Sequence, residues 1–180
     1  MPFDPHKHHR QSNRLENYDY SSSGGYFVTI CTQIHGRNWF GEITSQGMQC
    51  NAAGNMIMDS WNALPERFNI LLDEFIVMPD HVHGIIILPD LVGATLVVAL
   101  QNNTDISRNP FLGDVVGGFK SITTNRYIKG VRELGWDSFE KRFWERDYYD
   151  HVVRGDAELL QIRKYILENP IRWQEKSGLV

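Results

Sequence analysis

The sequence predicts an α+β fold of the ferredoxin-like kind, an antiparallel or mixed sheet with helices packed on it. Three observations carry this expectation. Short β-branched and aromatic runs of strand length recur along the chain. Two of them, "ILLDEFIVMP" and "HVHGIIILP", meet at Pro79-Asp80, a turn signal that favours an antiparallel pair. Segments with helical spacing alternate with strands too seldom for a doubly wound parallel sheet.

Residues 1–25 form a basic N-terminal arm ending in the flexible "SSSGG", and residues 26–180 form a single domain. "YFVTICTQ", Tyr26 to Gln33, reads as a strand central to the sheet. "NWFGEITSQGMQCN" alternates around a glycine-containing turn and predicts a short hairpin. "AAGNMIMDSWNALPERF" sets Met56, Trp61 and Leu64 at helical spacing and stops near Pro65. Two apolar strands follow, and His81 and His83 open the second. The stretch at about 90–112, with "QNNTDISRNP", is rich in turn formers and reads as an insertion or mobile loop. From Gly113 a second helix sets Val115, Phe119, Ile122 and Arg126 on adjacent turns, despite the weakness of Gly117-Gly118. "FEKRFWERDYYDHVVR" predicts a strand or strand pair. "GDAELLQIRKYILENP" predicts a last helix, capped by Asp156 and ended by Asn169-Pro170.

Composition narrows the function classes. With 180 residues and 42% hydrophobic content the chain can bury a core of its own. Cys31 and Cys50 lie far apart without a CxxC, which suggests neither a disulfide framework nor a thiolate metal site and makes a reducing cytoplasm the expected location. The longest apolar stretch, "LVGATLVVAL", is about half a membrane span and no leader is visible, so no membrane partner is expected. The net charge of −4 opposes broad binding to phosphates, although residues 114–180 hold 12 of the 18 Lys and Arg against 11 of the 22 Asp and Glu. Lys120, Arg126, Arg142 and Arg146 are therefore candidate phosphate contacts. Lys7, Arg10 and Arg14, with His6, His8 and His9, are candidates in the arm, where a solvated tail is the competing account. Phe143, Trp144 and Tyr148 are available to stack on unpaired bases, with core packing as the alternative.

The chemistry centres on "MPDHVHGIIIL". Side chains alternate along a strand, so His81 and His83 share a face and two imidazoles there can grip one cation, or simply hydrogen-bond at the strand entrance. On the last helix Tyr165 and Asn169 are four residues apart and stack on one face, while Leu159, Ile162 and Ile166 form the apolar stripe that docks on the sheet. Taken alone, Tyr165 is equally a half-buried aromatic and Asn169 a residue before a helix-ending proline. Tyr148 and Tyr149 are competing nucleophiles, and as adjacent strand residues only one of them can face the histidines. His151 is either a phosphate- or tyrosine-orienting group or a structural histidine.

Taken in order, "YDYSSSGGYFVTICTQ", "LDEFIVMPDHVHGIII", "FKS", "FWERDYYDHVVR" and "IRKYILENP" resemble the REP-associated tyrosine transposases, relatives of the single-tyrosine transposases of small insertion sequences. The resemblance spans nearly the whole chain. It implies an HUH endonuclease fold with His81-Val82-His83 as the histidine pair, Tyr165 as the nucleophile, and Asn169 completing a metal site with the histidines. It further implies Mg²⁺ or Mn²⁺ as cofactor, single-stranded or hairpin DNA as partner, and cleavage at REP-type palindromes through a 5′-phosphotyrosine that the freed 3′-hydroxyl later attacks, without ATP. A domesticated protein that binds such hairpins without turnover is the alternative. A small hydrolase using a metal-bound water fits less well, because no acidic residue joins the histidines. Superfamily members act as homodimers or monomers, and the sequence leaves both open.

Overall fold

A computed structural model describes residues 18–90 and 109–177. Lys7, Arg10 and Arg14, and most of the expected insertion at 90–112, lie outside the described residues. The elements are β1 (Gly24–Cys31), β2 (Gly41–Thr44), β3 (Gly47–Cys50), α1 (Ala52–Asn62), a 3-10 turn (Leu64–Glu66), β4 (Leu71–Val77), β5 (His81–Leu88), α2 (Leu112–Leu134), β6 (Tyr149–Val152) and α3 (Asp156–Ser177).

Four strands make one antiparallel sheet in the order β4-β5-β1-β6, and β2 and β3 pair separately as the expected hairpin. Numbered in chain order, the four sheet strands run fourth, first, third, second across the sheet, which is the ferredoxin-like arrangement. Among the described residues no helix is long and apolar enough to cross a membrane.

Register divides the sheet into two faces. Tyr26, Val28 and Ile30 of β1 and Val82 and Ile86 of β5 enter the main core with Met56, Ile57 and Trp61 of α1 and Val115, Val116 and Phe119 of α2. The opposite face carries Phe27 and Ile85, covered by Leu159, Ile162 and Ile166 of α3. The α3 stripe thus docks as its spacing predicts. A bidentate pair adds to it: the Arg163 guanidinium donates to both carboxylate oxygens of Asp73 on β4, at 2.7 and 2.6 Å.

Gly84 sets the distance between α1 and the sheet. A Cβ there would lie 2.4 Å from the Trp61 ring, which is stacked on Phe75 with ring centroids 4.4 Å apart. Only a residue without a side chain lets the indole lie flat on β5.

Three expectations need correction. The segment before β6 is not a strand pair. Residues 135–148 are irregular apart from an isolated bridge between Thr32 and Trp144, because Phe139, Phe143 and Trp144 collapse together onto Trp39, Phe40 and Tyr127 instead of alternating. The buried face of α2 runs through Phe119, Thr123, Tyr127 and Gly130, leaving Arg126 exposed, since Tyr127 joins that aromatic cluster. Finally, Pro170 does not end α3, which continues to Ser177. Proline removes one amide donor from a helix interior, but the last turns are held from outside: the Gln174 side-chain amide donates to the Thr44 carbonyl of the hairpin. Smaller shifts occur at element ends. The central strand begins at Gly24, with Tyr20 already buried beside Tyr26, and Asp156 is the first residue of α3 while Glu158 accepts the Arg154 amide.

Two outcomes follow from these contacts. Gly84→Ala forces the Trp61 ring off the sheet and should cost ~2 kcal/mol or more in denaturant titration. For the clamp, the hydrogen bonds from Arg163 hold the Asp73 carboxyl below its ordinary value, so its contribution is present above about pH 4 and is lost as pH falls through that lowered pKa. Hydrogen-exchange protection of α3 should therefore decline on acidification in the wild type, whereas Asp73→Asn should be less protected at pH 7 and lack this acid-dependent component.

Candidate active site

On β5, His81 pairs in register with Cys31 and His83 with Thr29, so both imidazoles emerge on the face covered by α3. Both are buried, and their Nε2 atoms approach to 3.2 Å. Each Nδ1 is engaged on the far side. That of His81 bonds Asp80 Oδ1 at 2.7 Å, and that of His83 bonds Thr29 Oγ1 at 2.8 Å. Asp80 is itself buried; burial works to raise its pKa, but the hydrogen bonds from His81 and from the Gly36 amide at 2.6 Å hold it below its ordinary value. His83 is pushed down to about 3, chiefly by burial and then by repulsion from His81, which keeps the imidazole neutral at neutral pH.

Tyr165 and Asn169 of α3 line the same cavity, of about 570 Å³, together with His81, His83 and Thr29. The Tyr165 ring meets His83 edge-on at 5.4 Å and Phe27 at 5.9 Å, and it is 37% exposed. Asn169 is buried one turn further. The continuation of α3 past Pro170 adds Arg172, Trp173 and Glu175 to the lining, none of them a candidate from the sequence. The Arg172 guanidinium carbon lies 5.6 Å from the Tyr165 ring centre, and the Trp173 ring lies 5.5 Å from that of His81. Their spacing of seven and eight from Tyr165 is the signal for them, hidden by reading Pro170 as a stop.

Among the described residues no group of three or more His, Cys, Asp or Glu is placed to hold a metal ion. The donor set nevertheless fits a hard divalent cation. The two imidazole Nε2 atoms, 3.2 Å apart, are close to the ~3 Å that separates neighbouring ligands of one ion held at about 2.1 Å. The far nitrogens are anchored, as ligand histidines require.

The other candidates are distributed elsewhere. Tyr149 is on the histidine face but opposite Thr29, two strands from His83, and does not line the cavity. Tyr148 lies under the Lys120 ammonium at 5.4 Å. His151 bonds Glu158 at 2.8 Å, tying β6 to the first turn of α3. Cys31 lines the cavity, but burial pushes its thiol up to about 11. Lys120, Arg142 and Arg146 line a second groove with Lys141, of about 420 Å³, between α2 and the 139–146 segment. The Lys120 ammonium donates there to the carbonyls of Glu145, Arg146 and Asp147, and burial pushes its pKa down to about 8. Arg126 donates instead to Ser60 on α1 at 2.7 Å. Phe143 and Trp144 are buried, so core packing rather than base stacking accounts for them.

No family model matches the chain. It is 36% identical over 173 residues to an uncharacterized protein of Haemophilus influenzae, covering 93% of this chain and 92% of that one. It also superposes on the solved structure of a REP-associated tyrosine transposase bound to a REP hairpin, with a TM-score of 0.58 and 16% identity, covering 88% of this chain and 73% of that one. The chain belongs to the family of the Haemophilus protein, and its α+β fold, an antiparallel sheet with helices packed on it, matches that of the REP-associated tyrosine transposase structure.

Proposed function

We propose that the chain is a metal-dependent endonuclease and transesterase of single-stranded DNA, transposase-like, acting at hairpin or REP-type palindromic DNA through a 5′-phosphotyrosine. The observation that carries this reading is the convergence of His81, His83, Asn169 and Tyr165 on one cavity. The fold shared with a hairpin-bound transposase supports it. In this reading His81, His83 and Asn169 hold Mg²⁺ or Mn²⁺, which when bound polarises the scissile phosphate and offsets its developing charge.

The chain's own residues do the rest. Tyr165, held against Phe27 and His83, has its phenol oxygen aimed by α3 rather than by a loop, which limits the entropy lost on reaching an in-line approach. Its oxygen attacks phosphorus, the bond to the 3′ oxygen breaks, and the proton given up by the phenol is balanced by one taken up by the departing 3′-hydroxyl. A phenol is a weak nucleophile, so its positioning matters, and the Arg172 guanidinium carbon 5.6 Å from the Tyr165 ring centre places a positive charge beside the site where a phosphate would sit. Reversal, with a 3′-hydroxyl attacking the phosphotyrosine, rejoins strands without loss of the phosphoester. Lys141, Arg142 and Arg146 offer backbone contacts in the second groove, a local basic surface on a chain whose net charge is −4.

The test mixes wild type and Tyr165→Phe with single-stranded hairpin DNA from the flanks of the chain's own gene, with Mg²⁺, Mn²⁺ or EDTA, and looks for SDS-resistant adducts. Adduct in the wild type alone, abolished by EDTA and by the substitution while DNA binding persists, is the expected result. Adduct persisting in Tyr165→Phe moves the nucleophile to Tyr149, and binding without adduct under either metal makes the protein a non-catalytic hairpin binder.

A further inference from the structure

The hydrogen bonds behind the two histidines are unlike each other, and the difference assigns Thr29 a role. Asp80 is a carboxylate and only accepts, so His81 Nδ1 carries a proton and His81 Nε2 is the atom that faces His83. Thr29 carries a hydroxyl, which donates or accepts. Two neutral tautomers of His83 are therefore compatible with the Thr29 hydroxyl. In one, the Thr29 hydroxyl donates to His83 Nδ1, and His83 Nε2–H donates across the 3.2 Å gap to His81 Nε2. In the other, His83 Nδ1–H donates to Thr29 Oγ1 and both Nε2 lone pairs are free to converge on a cation.

The choice between them needs no change of charge. The His83 proton leaves Nε2 for water, another is taken up at Nδ1, and the hydroxyl rotates about its C–O bond, so proton number is conserved. Resting on the metal-dependent reading above, we propose that Thr29 is a positioning residue that lets His83 pass between its two neutral tautomers. A divalent cation can then bind His83 Nε2 without expelling a net proton from that imidazole. The strand register makes this possible, since Thr29 lies directly across from His83 on the neighbouring strand. A valine at this position keeps the shape and removes both bonds, whereas a serine keeps the hydroxyl.

The test needs neither DNA nor turnover. Long-range ¹H–¹⁵N spectra of the histidines, assigned with His83→Gln, should show His83 protonated at Nε2 in EDTA and at Nδ1 in Mg²⁺, with His81 at Nδ1 in both. Calorimetric titration with Mn²⁺ should show affinity 10- to 100-fold weaker in Thr29→Val and close to wild type in Thr29→Ser. His83 protonated at Nδ1 already in EDTA overturns the proposal, as does a Thr29→Val protein that binds Mn²⁺ like the wild type. Those results leave the metal-dependent reading intact, whereas a wild type that binds no Mn²⁺ removes both.

Discussion

The period of two along β5 is the constraint on which the rest of the molecule depends. Val82 and Ile86, with Gly84 between them, face one side; His81, His83 and Ile85 face the other. The first side receives α1 and α2 and the large aromatic core. A polar pair on that side would sit in the densest packing of the protein with no room for a ligand. On the second side a single helix covers Phe27 and Ile85 and, further along, lines a cavity with the two histidines at the β5 entrance.

That arrangement makes α3 both the cover of a small apolar patch and the carrier of the proposed nucleophile, Tyr165. Ile162 and Ile166 fix its rotation, Arg163 locks to Asp73, and the face that results presents Tyr165, Asn169, Arg172 and Trp173 in successive turns. At its start Glu158 binds His151 and the Arg154 amide, and near its end Gln174 holds the β2–β3 hairpin. A helix tied at both ends and at its middle leaves the position of Tyr165 little freedom, as its proposed role requires.

The basic groove is separate from the cavity yet joined to it covalently and by hydrogen bonds. The Glu145 amide donates to the Cys31 carbonyl at the end of β1 and its carboxylate bonds His35, both in residues that line the cavity. Glu145 also lines the groove, where its carbonyl accepts from Lys120. The irregular 135–148 segment thus earns its position through buried aromatics and one partly buried ammonium rather than through strand pairing.

Much of this was legible from local chemistry. Strand alternation put His81 and His83 on one face, the Pro79-Asp80 turn made β4 and β5 antiparallel, and the spacing of Leu159, Ile162 and Ile166 oriented α3, all of which depend only on residues near one another in sequence. What sequence alone did not determine are the outcomes set by distant partners. The anchoring of Gln174 by Thr44 carried α3 through Pro170 and brought Arg172 and Trp173 to the site. The aromatic collapse onto Tyr127 replaced an expected strand pair, and the register of β1 against β5 put a hydroxyl behind His83. Local propensity fixes which face a residue takes on its own element; only tertiary packing decides which residue of another element stands opposite.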